Sequence, residues 1–112
     1  MLNAKNRLKK RKEFAYIYRK GKKLNGQSLS VFFVPSKNAY VKVGFSVSNK
    51  VGKAVIRNKV KRQLRNIMRE IVPLLKNVNI VVLAYPEIVV QDYNEMQKNL
   101  KSILIKGKLI DE

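Results

Sequence analysis

From Lys53 to Ile71 the chain places apolar residues at Ile56, Val60, Leu64, Ile67 and Ile71. Steps of three and four residues collect them on one stripe of an α-helix, the side that must be buried. Arg57, Lys61 and Arg65 step by four along one border of that stripe, and Asn58, Arg62 and Arg69 lie beyond them. Pro73 limits the helix, because the residue before a proline disfavours helical geometry.

The polar side of this helix is unusual. On an ordinary surface helix cations alternate with carboxylates, in pairs worth roughly 0.2–0.5 kcal/mol each. Arg57, Lys61 and Arg65 have no carboxylate within a turn and repel one another. A face that gives up local stability in this way has an external anion in view. Phosphate suits it best, because the guanidinium fork binds phosphate through two parallel hydrogen bonds. The plainer reading is a basic face that serves only solubility.

Composition narrows the partner class. The 112 residues make one domain with one modest core, and the formal charge is +18. That charge points to polyanions, with nucleic acid ahead of an acidic membrane or an acidic protein. No Asp or Glu occurs between Glu13 and Glu70, and the chain has no His or Cys. A Cys/His zinc site and a Cys–His nucleophile pair are therefore excluded. The carboxylates Glu13, Glu70, Glu87, Asp92, Glu95, Asp111 and Glu112 suggest no two-metal nuclease cluster. Any hydrolytic chemistry would have to be carried by something else. The absence of cysteine fits a reducing cytosol. No apolar run approaches the roughly 18–20 residues of a membrane span. The basic N-terminus has no apolar core of a signal peptide and leads directly into patterned sequence, so no targeting segment is expected.

Residues 1–12 read as a basic, flexible tail. Arg11 to Lys20 reads as a short helix with a Phe14, Ile17, Tyr18 stripe, ended at Gly21, and that stripe is expected to be core. Gly21 to Gln27 reads as a basic turn. Ser28 to Pro35 reads as a strand with Leu29, Val31 and Phe33 toward the core and Phe32 on the opposite face. After a turn over residues 35–38, Tyr40 to Ser48 reads as a second strand. Val41, Val43, Phe45 and Val47 share one face, while Lys42, Gly44, Ser46 and Ser48 continue the face that carries Phe32. That second face is small, hydroxylated and basic with an aromatic set into it, which suits a single RNA strand: bases stack on aromatics while cations hold phosphates. An outer face merely exposed to water is the plainer reading. Ile80 to Tyr85 is apolar on both faces and reads as an interior strand ended by Pro86. Asp92 and Glu95 form a capping box for a last helix, with Met96, Leu100, Ile103 and Leu104 buried and Gly107 at its end.

The series Val43-Gly44-Phe45-Ser46-Val47-Ser48, then Gly52-Lys53-Ala54-Val55, then Arg57-Asn58-x-x-Lys61-Arg62-x-x-Arg65 resembles the bacterial ribonuclease P protein subunit. The resemblance spans nearly the whole chain and is strongest from Val43 to Arg65. Three positions depart from the family pattern. Lys59 replaces an arginine of the helix motif, Asn49 stands where a basic residue is usual, and Tyr85 follows Ala84 where many members place an arginine.

The resemblance implies an α+β fold. It would be a two-layer α/β sandwich with a four-stranded sheet and three helices in the order αβββαβα, and with a left-handed βαβ crossover containing the basic helix. It also implies a cytoplasmic ribonucleoprotein whose RNA subunit, with Mg²⁺ held mainly by that RNA, cuts the 5′ leader from precursor tRNA. The protein would supply no catalytic residue and no metal site, and would bind neither DNA nor membrane. The residues facing the catalytic RNA would be Lys50, Lys53, Arg57, Asn58, Lys59, Lys61, Arg62 and Arg65. The cleft for the precursor tRNA leader would use Phe14, Tyr18, Phe32, Lys42, Ser46 and Ser48. The other readings that the charge allows are a structural ribosomal or RNA-chaperone protein and, against the missing cluster, a stand-alone nuclease.

Overall fold

The computed structural model describes residues 4–37 and 40–111. Tail residues Met1–Asn3 and turn residue Asn38 of the sequence reading lie outside them. The elements run α1 (Arg11–Lys20), β1 (Lys22–Asn25), β2 (Leu29–Pro35), β3 (Lys42–Val47), α2 (Ala54–Ile71), β4 (Val78–Ala84) and α3 (Tyr93–Lys106). Short 3-10 turns precede α1, α2 and α3, and another follows α2.

The sheet order is β1-β2-β4-β3. The β1/β2 and β2/β4 pairs are antiparallel, whereas β3 and β4 are parallel and are joined through α2. Parallel neighbours need such a crossover, and the long amphipathic helix provides it. β4 is interior, as its apolarity on both faces requires, with Val78, Ile80, Val81, Val82 and Ala84 all buried.

The main core lies between the sheet and the α2/α3 layer. Leu29, Val31, Val43, Ile80 and Val82 from the strands meet Val60, Leu64, Ile67, Ile71, Leu100 and Leu104 from the helices. Burying each such side chain contributes about 1.5–3 kcal/mol. α3 begins as its capping box requires: Glu95 N donates to Asp92 Oδ1 at 2.9 Å, and Asp92 N donates to Glu95 Oε1 at 3.1 Å.

Four details differ from the sequence reading. The basic turn over Gly21 to Gln27 contains a strand, β1, whose residues pair with Ser30–Phe33 of β2. Lysine-rich Lys22-Lys23 has weak strand preference of its own. Pairing with β2 overrides it, and lysines on an edge strand also discourage pairing with foreign strands. On α2 the stripe is displaced by part of a turn: Ile56 is 43% exposed, whereas Met68 is fully buried. The second face of the sheet is partly covered by α1, with a small second core of Leu8, Ile17, Val34 and Val81. Finally, residues 5–10 are not a free tail. Leu8 is buried, Leu8 N donates to Val43 O at 2.9 Å, and Asn6 Nδ2 donates to Val41 O at 2.6 Å. The segment thereby occupies the outer edge of β3, where backbone groups would otherwise be unpaired.

Candidate nucleic-acid interface

The second sheet face follows directly from strand register. Reading across β1, β2, β4 and β3, one row is Lys23, Phe32, Val81, Gly44 and the next is Asn25, Ser30, Leu83, Ser46. Alternation sets Lys42 and Ser48 on the same side of β3. α1 lies against this face and divides its residues into a covered part and an open part. Ile17 is buried, Phe14 is half-buried, and Tyr18 is 38% exposed. The expected core stripe of α1 is thus core at Ile17 and an aromatic wall at Phe14 and Tyr18.

Tyr18 and Phe32 meet edge to face, with ring centroids 4.8 Å apart. Lys23 Nζ lies 5.5 Å from the centroid of the Phe32 ring, a cation–π distance. The floor beneath Phe14 is Gly44. A Cβ there would stand 2.5 Å from Phe14 Cζ and 3.0 Å from Leu8 Cβ, so only glycine admits the ring. Lys42 Nζ sits 3.3 Å from Glu13 Oε2. Burial pushes the Glu13 pKa up, but the hydrogen bonds from the Lys42 side chain and the Lys10 backbone, with the charge of Lys42, outweigh it and hold the carboxyl below 4.5. Ser46 and Ser48 are half-buried, and Ser48 Oγ accepts a hydrogen bond from Lys50 N at 3.2 Å. All six residues expected to form a cleft therefore share one side of the molecule. Lys23 completes it. The local sequence does not reveal that lysine, because Gly21 to Gln27 reads as a turn and only pairing with β2 places Lys23 beside Phe32.

The basic face of α2 begins at Gly52, whose φ of 153° lies in the range that favours glycine. Lys53 is the N-cap and provides no side-chain cap, and the first turn has no acid. The helix N-terminus thus offers backbone N–H groups among cations, a setting that attracts anions. Arg57 is anchored: Nε donates to Gly52 O at 3.1 Å and Nη1 donates to Asn49 Oδ1 at 3.0 Å. The Asn49 departure therefore has a local role, because its carbonyl orients the arginine where a cation would repel it. Asn58, Lys61, Arg62 and Arg65 line a shallow groove on the outer side of α2 with Asn66. Lys50, Lys53, Asn58, Lys59 and Arg62 are exposed. Lys59 stands apart from this group, lining a different hollow with Ile56, Gln63, Asp92 and Tyr93.

The two surfaces meet. Lys61 and Arg65 of α2 line one hollow together with Arg7, Phe14, Gly44 and Phe45. Lys61 and Arg65 thus line both the α2 groove and the hollow beside the aromatic wall. By sequence Arg7 belongs to the basic tail, and only its bridge to Val43 of β3 brings it here. Among the described residues no three His, Cys, Asp or Glu side chains come together as a metal site. No helix among them is long and apolar enough to cross a membrane.

A profile of the Ribonuclease P family matches residues 2–108. The chain belongs to the ribonuclease P protein family. It is 41% identical to the ribonuclease P protein component of a Pseudanabaena species, over 98% of this chain and 97% of that one. It is 34% identical to the component from Streptococcus mutans, over 95% and 89%. The fold agrees: the Staphylococcus aureus RNase P protein superposes with a TM-score of 0.88 at 29% identity, covering 95% of this chain and 98% of that one. The Thermotoga maritima RNase P protein gives 0.81 at 30% identity, covering 89% and 96%. The α+β architecture of three helices and a four-stranded mixed sheet is thus that of RNase P proteins.

Proposed function

We propose that this chain is the protein subunit of a cytoplasmic ribonuclease P, binding the catalytic RNA through α2 and the 5′ leader of precursor tRNA through the aromatic cleft. The observation that carries this reading is the shared hollow of Arg7, Lys61 and Arg65 beside Phe14 and Gly44, which makes the two surfaces continuous. Lys50, Lys53, Arg57, Asn58, Lys61, Arg62 and Arg65 would face the RNA subunit, with Lys59 set apart from them in its own hollow. Phe14, Tyr18, Phe32, Lys42, Ser46 and Ser48 would hold the leader.

The RNA subunit and its Mg²⁺ would carry the hydrolysis, the metal activating water and stabilising charge on the scissile phosphate. The chain's own part is electrostatic and positional. Two polyanions must be brought together, and an interposed body of charge +18 screens their repulsion. Phe32 and Tyr18 then offer ring surface to unstacked leader bases, worth roughly 1–3 kcal/mol per base. Binding energy spent on the leader is absent from the product, so precursor tRNA is held more tightly than mature tRNA.

The test is cleavage of a precursor tRNA by a bacterial ribonuclease P RNA at low Mg²⁺, with and without the chain. The expected result is rescue of correct 5′ cleavage, with no cleavage by the protein alone. Tight RNA binding without rescue for several bacterial RNAs would favour a structural RNA-binding role instead.

A further inference from the structure

Ile56 belongs to the apolar stripe of α2, yet it stands exposed at the rim of an open hollow. The hollow lies between α2, the 3-10 turn Pro86–Val90 and the start of α3, on the border of α2 opposite Arg57 and Lys61. Its volume of about 330 Å³ is at the lower end of the range for pockets that take small organic groups. The floor is apolar and buried, from Val60, Ile88 and Met96, and half-buried Tyr93 adds an aromatic surface. Val89 is exposed at the same rim, and Val55 and Val90, the chain neighbours of Ile56 and Val89, are exposed as well. Exposed aliphatic surface beside a concave floor marks a place that something else covers.

The polar groups at the hollow say what that is. Gln91 is held in one orientation: its Oε1 accepts from Ser28 Oγ at 2.7 Å and from Asn99 Nδ2 at 3.2 Å. An amide oxygen has two lone pairs, so this acceptor is full and the Nε2 protons remain to be donated. Asp92 spends Oδ1 on the cap of α3 and keeps Oδ2 as an acceptor. Lys59 is exposed and makes no ion pair among the described residues. An apolar floor, an aromatic wall, a donor beside an acceptor and a nearby cation are together the parts of a seat for one nucleotide.

We propose that the hollow between α2 and α3 receives one unpaired, extruded base of the RNA bound along α2. The base covers Ile56, Val60 and Met96, its edge meets Gln91 and Asp92, and Lys59 holds its phosphate. Other occupants fit less well. A second copy would bring +18 against +18. A bilayer calls for a protruding apolar face, and this one is concave. An acidic protein would have to share the outer side of α2 with the RNA. That outer side runs without a break from Arg65 through Arg62 to Lys59 and Gln63, so a strand lying on it reaches the hollow directly. This inference rests on the reading of α2 as an RNA-binding helix and adds a contact that charge does not supply.

The experiment titrates a bacterial ribonuclease P RNA with the chain and three variants across a salt series. Gln63→Trp fills the hollow from its rim, Ile56→Ala strips an apolar wall, and Lys59→Ala removes the cation. Gln63→Trp and Ile56→Ala carry no charge change. Each should weaken binding by about fivefold or more, the lower end for one stacked base, with the salt slope unchanged. Lys59→Ala should make the slope shallower by about 0.7. The Watson–Crick edges of the RNA are then modified in the assembled enzyme, with dimethyl sulfate for A and C and a carbodiimide for G and U. One nucleotide outside the RNA helices should be protected by the wild-type chain and reactive again with both neutral variants. Thermal midpoints of the free proteins separate these effects from unfolding. Wild-type affinity in both neutral variants, or protection that persists in both, would overturn the assignment. So would unchanged RNA binding with altered sedimentation of the free chain, which would give the hollow to a second copy. Tight binding and rescued cleavage with unaltered variants would remove this inference alone, whereas a wild-type chain that does not bind the RNA would remove the reading of α2 as well.

Discussion

Glu13 is the first acidic residue of the chain, and none follows until Glu70. Its place explains why it is tolerated in a surface proposed to receive anions. One oxygen accepts from Lys10 N at 3.3 Å at the start of α1, and the other faces Lys42. The carboxylate thus orients a cleft cation while satisfying a helix end. Its folded pKa lies below its ordinary value of 4.5. The folded state therefore binds this proton less readily than the unfolded chain. The pair's stabilisation is complete above about pH 4.5 and is lost as pH falls through the lowered value. Because the pair is partly exposed, its size should be at most about 1 kcal/mol. Glu13→Gln keeps an acceptor for Lys10 but removes the charge. Melting curves from pH 7 down to pH 3 should show the variant less stable at neutral pH, with the gap closing below about pH 4.5. A gap independent of pH would mean that Glu13 acts as a cap and not through its charge.

At the scale of elements, the two surfaces proposed to face RNA should separate by mutation. Arg62 is exposed on the outer side of α2, away from the aromatic wall. Arg62→Ala should weaken assembly with the catalytic RNA on the order of tenfold, as loss of a charged hydrogen bond does. It should leave the precursor preference of the assembled enzyme intact. Phe32→Ala should do the reverse, lowering precursor preference by about fivefold or more through lost stacking. Equal effects of both on both readouts would mean that the surfaces are one. Much of this arrangement is legible in the sequence because it rests on local rules. The α2 period, the alternation through Phe32 and Lys42, the interior character of Ile80–Tyr85 and the Asp92 box each depend on near neighbours. What is not legible depends on distant partners. β1 is a strand because β2 stands beside it, and its lysines alone argue otherwise. Leu8 looks isolated among cations until β3 and α1 surround it. Arg7 joins Lys61 and Arg65 only through that packing, and Tyr85 meets Ser30 across 55 positions of chain.

At the scale of the whole molecule, the question is whether a charge of +18 acts as a diffuse cloud or as a surface of defined contacts. The body measures 35 × 32 × 25 Å, so its cations lie within a few screening lengths of one another. A diffuse cloud would bind any polyanion and release counterions in proportion to the whole charge. The arrangement argues for fewer, placed contacts: Arg57 is tied to Asn49 and Gly52, Lys42 is tied to Glu13, and Lys59 faces another hollow. If about six cations of the α2 face each neutralise one phosphate, the logarithm of affinity should fall with the logarithm of salt at a slope of roughly −4, taking the single-strand coefficient. Titration of the catalytic RNA with the chain across a series of salt concentrations measures that slope directly. A value near −4 that becomes shallower by somewhat under one on Arg62→Ala would count that residue among the phosphate contacts. A slope near −12 or steeper would mean that most of the charge acts as a cloud, and a nearly flat titration would remove the basic face of α2 as the RNA-binding surface.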